Sequence, residues 1–162
     1  MLESILPRSL DEGYRGHPVA RVVLVILFGI TLARSLVHIF FSDGGAQSIA
    51  TIPLDTYAPG AAAAVITIFA YWGLSQLLMA FLYGIVLWRY PALIPLAYVL
   101  FIAEWAGRLL IGMTSEVETV RTPPGAVGNL VFPLVGAAML YLSLRRQPAK
   151  DSSDGIASNV DA

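Results

Sequence analysis

Glu104 and Arg108 stand four residues apart inside an apolar run that extends from about 91 to 113. On a helix this spacing puts a carboxylate and a guanidinium on one face, one turn apart, with the acid in the favourable N-terminal position. In a bilayer each such charge costs roughly 2.5–3.5 kcal/mol on insertion scales, so it faces the bundle interior and finds partners. Three other apolar runs supply candidates. Arg34 and His38 lie in the first, Trp72 and Gln76 in the second, and Asn129 in the fourth. Three uses of such a set stand side by side: an ion pair that fixes helix register, the recognition of a bound ligand, and the movement of a proton or ion. Gln76 and Asn129 have a plainer use as interhelical hydrogen-bond partners, worth about 1 kcal/mol each.

The runs that must position these residues dominate the composition. Of 162 residues 57% are hydrophobic and 13% charged, against about 25% charged in an ordinary soluble domain. The apolar residues fall into four blocks, about 19–41, 61–88, 91–113 and 126–144, each long enough to cross a bilayer at about 20 residues per helix. The expected fold is all-α: an integral membrane four-helix bundle, up-down-up-down. Residues 1–18 read as a polar N-terminal tail with a short surface helix over 2–10, and 146–162 as a disordered polar tail. Pro95 sits in the first turns of the third span and Pro133 inside the fourth. The turn at Trp88-Arg89-Tyr90-Pro91 is short, which makes spans two and three antiparallel neighbours. Ser115 with Glu118 has the spacing of a capping box for a short surface helix. The segment 46–60 carries no Lys or Arg, is too apolar for a loose linker, and is expected at the interface or over the mouth of the bundle. Small residues at Ala80/Gly84, Ala103/Gly107, Gly125/Asn129 with Gly128, and Gly136 suggest close helix approach.

Orientation follows from Lys and Arg. Arg8, Arg15, Arg21, Arg89, Arg145, Arg146 and Lys150 lie on one side, and only Arg121 lies in the other two loops. Both termini are therefore expected in the cytoplasm, and in a bacterial inner membrane the long loops face the periplasm. By depth, Arg34, Gln76, Glu104, Arg108 and Asn129 share a slab between the midplane and the outer surface, with Trp72 one turn outward of Gln76. Two arginines and one glutamate leave a positive excess. Water, a loop carboxylate such as Asp43 or Asp55, or an anionic ligand must offset it. Glu104 is expected to bridge Arg34 and Arg108 together. His38 reads as an interface histidine, and Trp72 and Trp105 either line a pocket or face lipid.

The absence of cysteine excludes disulfides, thiolate metal sites and thiol redox chemistry. A net charge of −1 gives no ground for nucleic-acid binding. His17 and His38 fall on opposite sides of the membrane, which disfavours paired haem ligation. No serine elbow, phosphate loop, H-E-x-x-H or paired catalytic carboxylate is present, so no catalytic residue, metal ligand or cofactor is assigned. Four spans, this length, and Glu104 followed by Gly107 and Gly112 in the third span resemble the DoxX-like group of small bacterial membrane proteins. That resemblance implies a four-helix fold and, for some members, association with quinone-linked respiratory complexes. It carries over no catalytic residue, and Arg108 and the long 42–60 loop are not part of it. The four-span drug exporters carry their membrane glutamate in the first span, where this chain has Arg34; cationic drug export is disfavoured. Two functions follow. One is a non-enzymatic accessory or scaffold subunit that meets other membrane proteins, or a second copy, through an apolar face. The other is binding or transport of an amphipathic anion, such as a lipid, quinone-like molecule or isoprenoid, in an outward-facing polar pocket.

Overall fold

The computed structural model describes residues 2–5, 10, 13–115 and 117–145. All regular structure among them is helical. A single turn, α1 (Leu2–Ile5), precedes α2 (Pro18–Phe40), α3 (Pro59–Trp88), α4 (Ile94–Thr114) and α5 (Pro124–Leu144). The last four are each long and apolar enough to cross a membrane. The chain is a multi-pass helical membrane protein built as a four-helix bundle.

The starts of α2, α3 and α5 fall a residue or two before those expected from hydropathy, and α4 begins three residues after its expected start, at Ile94. Pro18, Pro59 and Pro124 occupy the first helical position, where a missing N–H is harmless and the fixed φ is already helical. Pro91–Leu93 form a 3-10 turn that feeds α4, with Pro95 in its first turn. Pro133 lies inside α5, which continues past it to Leu144. The capping box does not operate: Thr114 ends α4, and Ser115 and residues 117–119 are non-helical. The surface helix expected over 2–10 is described only as α1, and the tail from 146 onward lies outside the described residues.

The bundle is two helix pairs. α2 packs along α3, and α4 along α5, while α3 and α4 touch only sparsely despite the short turn between them. A short connection sets the direction of the next helix; side-chain shape chooses its partner. Gly73 shows how. A Cβ there would stand 2.7 Å from the His38 Cβ and 3.1 Å from the Ser35 carbonyl, so α2 and α3 approach as closely as they do only over glycine. Gly136 plays the same part between α4 and α5, where a Cβ would meet Ile102 Cγ1 at 2.7 Å. Gly107 and Gly125 have open space around them and are not contact points.

The pairs join at the end that carries the described termini. Ala20, Leu24, Leu27, Tyr83, Val86, Tyr98 and Phe101 form one buried cluster there. Hydrogen bonds close it: Tyr98 Oη donates to the Ala20 carbonyl at 2.5 Å, and His17 N to the Leu142 carbonyl at 3.1 Å. Tyr14 Oη donates to the His17 carbonyl at 2.9 Å, and burial pushes the Tyr14 phenol up to about 12. Trp88, 86% exposed, stands beside Arg89 and Tyr90 at this end as an interface anchor.

Candidate functional site

The opposite, loop-bearing end is built differently. After α2 the chain makes a tight turn with Gly44 and Gly45 at φ 59° and 73°, conformations that favour glycine. The Asp43 carboxylate holds the turn by accepting from the backbone N–H of Gly45 at 2.9 Å, Gln47 at 3.2 Å and Ser48 at 2.7 Å. Burial works to raise the Asp43 carboxyl, but the Ser48 and Gly45 donors outweigh it and hold its pKa below the ordinary value. Ala46, Ile52 and Leu54 then pack on Val65, Ile66 and Phe69 of α3. The 46–60 segment is a folded cover. It is tied to the other long loop by two bonds: Thr51 Oγ1 donates to the Arg121 carbonyl at 2.7 Å, and Val120 N to the Thr51 carbonyl at 2.9 Å.

Beneath these loops, the four helices enclose a cavity of about 1290 Å³, lined mainly by apolar side chains. Its polar wall holds residues from three helices. Arg34 and His38 come from α2, Trp72 from α3, and Asn129 from α5; Trp105 of α4 and Phe132 of α5 complete the aromatic side. Two indoles organise the arginines. The Arg108 guanidinium lies 4.6 Å from the Trp72 ring centroid and 4.9 Å from that of Trp105; for Arg34 the distances are 5.6 and 5.1 Å. Such stacking is worth about 0.5–1 kcal/mol when exposed and about 2 or more when desolvated. Gly128 lets Trp105 settle against α5, since a Cβ there would come within 3.0 Å of the indole.

Glu104 pairs with Arg108 across one helical turn, and both are partly buried. Gln76, 3% exposed, braces the pair from α3. With its amide oxygen turned toward the donors, it accepts from Trp72 Nε1 at 3.0 Å and from Arg108 Nη2 at 3.2 Å. The bridge expected between Glu104 and Arg34 is not formed among the described residues. Arg34 rests on the indoles, and its N–H groups reach no protein acceptor among them. Among the described residues no loop carboxylate pairs with it: Asp43 is engaged in its own turn, Asp55 is exposed, and Glu118 lines the same cavity without an ion pair to Arg34. The positive excess read from the sequence therefore localises on Arg34, at the cavity wall.

Two further corrections concern polar side chains. His38 is no interface histidine: it is 5% exposed, stacked on Trp72 at 4.6 Å, with the edge of Phe69 at 5.5 Å. Its Nδ1 lies 2.7 Å from the Gly44 carbonyl. Asn129 lines the cavity and makes no interhelical hydrogen bond among the described residues. Of the seven residues read as a polar cluster, Arg34, His38, Trp72 and Asn129 line the cavity, while Gln76, Glu104 and Arg108 form the braced layer behind the indoles. Phe69, Gly73 and Phe132 were not singled out by sequence reasoning. The spacing Phe69, Trp72, Gly73 on one helix face was the available signal. Comparison of the chain with protein-family models, with curated proteins and with solved structures finds no match.

Proposed function

We propose that this membrane protein binds an amphipathic molecule with an anionic head in the cavity at its loop end. The observation that carries the reading is Arg34, a guanidinium on the wall of an apolar cavity with no acceptor from the described residues. An anionic oxygen at that point offsets the positive excess and supplies the missing acceptor. The apolar part of the molecule fits beside Ile30, Trp105 and Phe132. A lipid, a quinone-like molecule or an isoprenoid meets both conditions, and the bilayer is the natural source. Kinship with the DoxX-like group, carried by Glu104, Gly107 and Gly112, is compatible with this reading and adds no residue role to it. The Lys and Arg distribution supports cytoplasmic termini and, in a bacterial inner membrane, a cavity on the periplasmic side. A probe on Ser48→Cys modified only from the cytoplasm overturns that orientation.

A second reading, an accessory subunit or homo-oligomer, is supported by α3. Ile68, Tyr71, Leu74, Leu78, Phe81 and Ile85 make an exposed apolar ridge at helical spacing, open to lipid or to another membrane protein. Native mass spectrometry of the detergent-extracted chain separates the two. The binding reading expects a stoichiometric small amphipath on the wild type and its loss in Arg34→Gln. A co-purifying membrane protein with no small molecule bound supports the accessory reading and overturns binding.

A further inference from the structure

Resting on that binding reading, we infer that the head group carries a hydroxyl beside its anionic oxygen, and that His38 receives the hydroxyl. A carbonyl oxygen can only accept, so the 2.7 Å contact with Gly44 places the hydrogen on His38 Nδ1. The turn fixes this tautomer, because Gly44 is held by the glycine conformations and by the bonds that the preceding Asp43 carboxylate accepts from Gly45 N and Ser48 N. In the neutral imidazole usual near pH 7, Nε2 then presents a lone pair. That atom is buried, on a side chain 5% exposed in the cavity wall, and no donor among the described residues reaches it. A buried acceptor without a donor is costly, about 1–3 kcal/mol. Of the two unpartnered buried atoms among the described residues, His38 Nε2 and Tyr83 Oη, only the first belongs to a cavity-lining residue, and a head group reaches it by displacing a neighbouring side chain of the wall.

Arg34 is one turn deeper on the same helix, about 6 Å along the axis at a rise of about 1.5 Å per residue. It offers only donors. The complementary head has an anionic oxygen nearer the membrane centre and a hydroxyl nearer the loops. A glycerol phosphodiester lipid has that order: tails toward the centre, then phosphate, then the hydroxyls of the head glycerol. An ethanolamine head could also donate to Nε2, but brings a cation beside Arg34 and Arg108; a choline head has no donor. Asn129, across the cavity on α5, can donate to or accept from either part.

The test titrates detergent-purified full chain with dioctanoyl phosphatidylglycerol and dioctanoyl phosphatidylmethanol, read by native mass spectrometry. The two probes share the phosphodiester charge, and the second replaces the glycerol with a methyl group. The wild type is expected to hold the glycerol lipid about tenfold more tightly, the worth of one buried hydrogen bond at the upper end of its range. His38→Leu is expected to abolish that preference, His38→Gln, which retains an acceptor, to keep part of it, and Arg34→Gln to weaken both lipids. Equal binding of the two lipids by the wild type, still dependent on Arg34, overturns the hydroxyl inference and leaves the anionic-head reading standing. Binding of neither lipid nor any other anionic amphipath overturns both. Tail-free glycerophosphoglycerol bound as tightly as the lipid overturns the bilayer as the source.

Discussion

The two ends of this bundle contain the same four helices and solve opposite problems. At the terminal end, Leu24, Tyr83, Tyr98 and Phe101 fill the space between the helix pairs, and Tyr98 finds the Ala20 carbonyl. At the loop end the pairs enclose a cavity whose wall holds Arg34 and His38. Among the described residues the guanidinium has no carboxylate and His38 Nε2 no donor, while in the base Tyr83 Oη alone is left without a partner. Close helix approach occurs at both ends, over Gly73 and over Gly136, but within each pair rather than between pairs. The difference teaches where the strength of the fold lies. Without a strong hydrophobic drive between helices in lipid, packing complementarity holds the pairs together, and here it is concentrated at the terminal end. That closed base leaves the loop end free to keep an open, polar-walled space.

The comparison breaks most readily at the braced ion pair. Glu104→Gln is expected to destabilise the protein by about 3 kcal/mol, because it strands Arg108 and leaves two guanidiniums sharing the indoles. Arg108→Gln strands Glu104 in turn, since Arg34 does not bridge to it, and the double change recovers much of either loss. Thermal unfolding in detergent reads all three. Small, equal effects would mean that water solvates these charges and that the loop end is not a desolvated site.

A smaller effect separates the two ends directly. Leu24→Ala, in the closed base, is expected to cost about 2 kcal/mol through the cavity it leaves. Ile30→Ala, two turns along the same helix but on the cavity wall, is expected to fall within about 0.5 kcal/mol. Equal losses would show that the loop end is packed as tightly as the base.

The smallest effect is confined to the cover. The Asp43 carboxyl has a depressed pKa in the folded turn, so its contribution is fully present above the ordinary value of 3.8. It is lost as pH falls through the lower folded value. Amide exchange at Gly45, Gln47 and Ser48 is expected to quicken on acidification in that window. Asp43→Asn is expected to remove most of that pH dependence; unchanged exchange in the wild type would mean the turn stands without the carboxylate.

Much of the site's membership was legible because charge and polarity are rare in an apolar span. Arg34, Glu104, Arg108 and Gln76 announce themselves, and helical rise places them in one slab. Their pairing was not legible. Depth puts Arg34 and Arg108 at similar distances from Glu104, and only side-chain packing on Trp72 and Trp105 decides that one arginine takes the carboxylate and the other takes the indoles. His38 was misread because its position near a helix end suggested water. The folded turn at Gly44 instead curls back and buries it.

The sequence by itself determined the four helices, their ends within about three residues, and the concentration of polar groups toward one end. These are local properties: apolar run length, proline at the first helical position, and the 3.6-residue period. Only the tertiary structure decided which helices pair, that the long loops tie together into a cover, and that a cavity lies under it. Those outcomes depend on contacts between residues far apart in the chain, such as Gly73 with His38 and Thr51 with Arg121, whose fit is set by shape rather than by residue type.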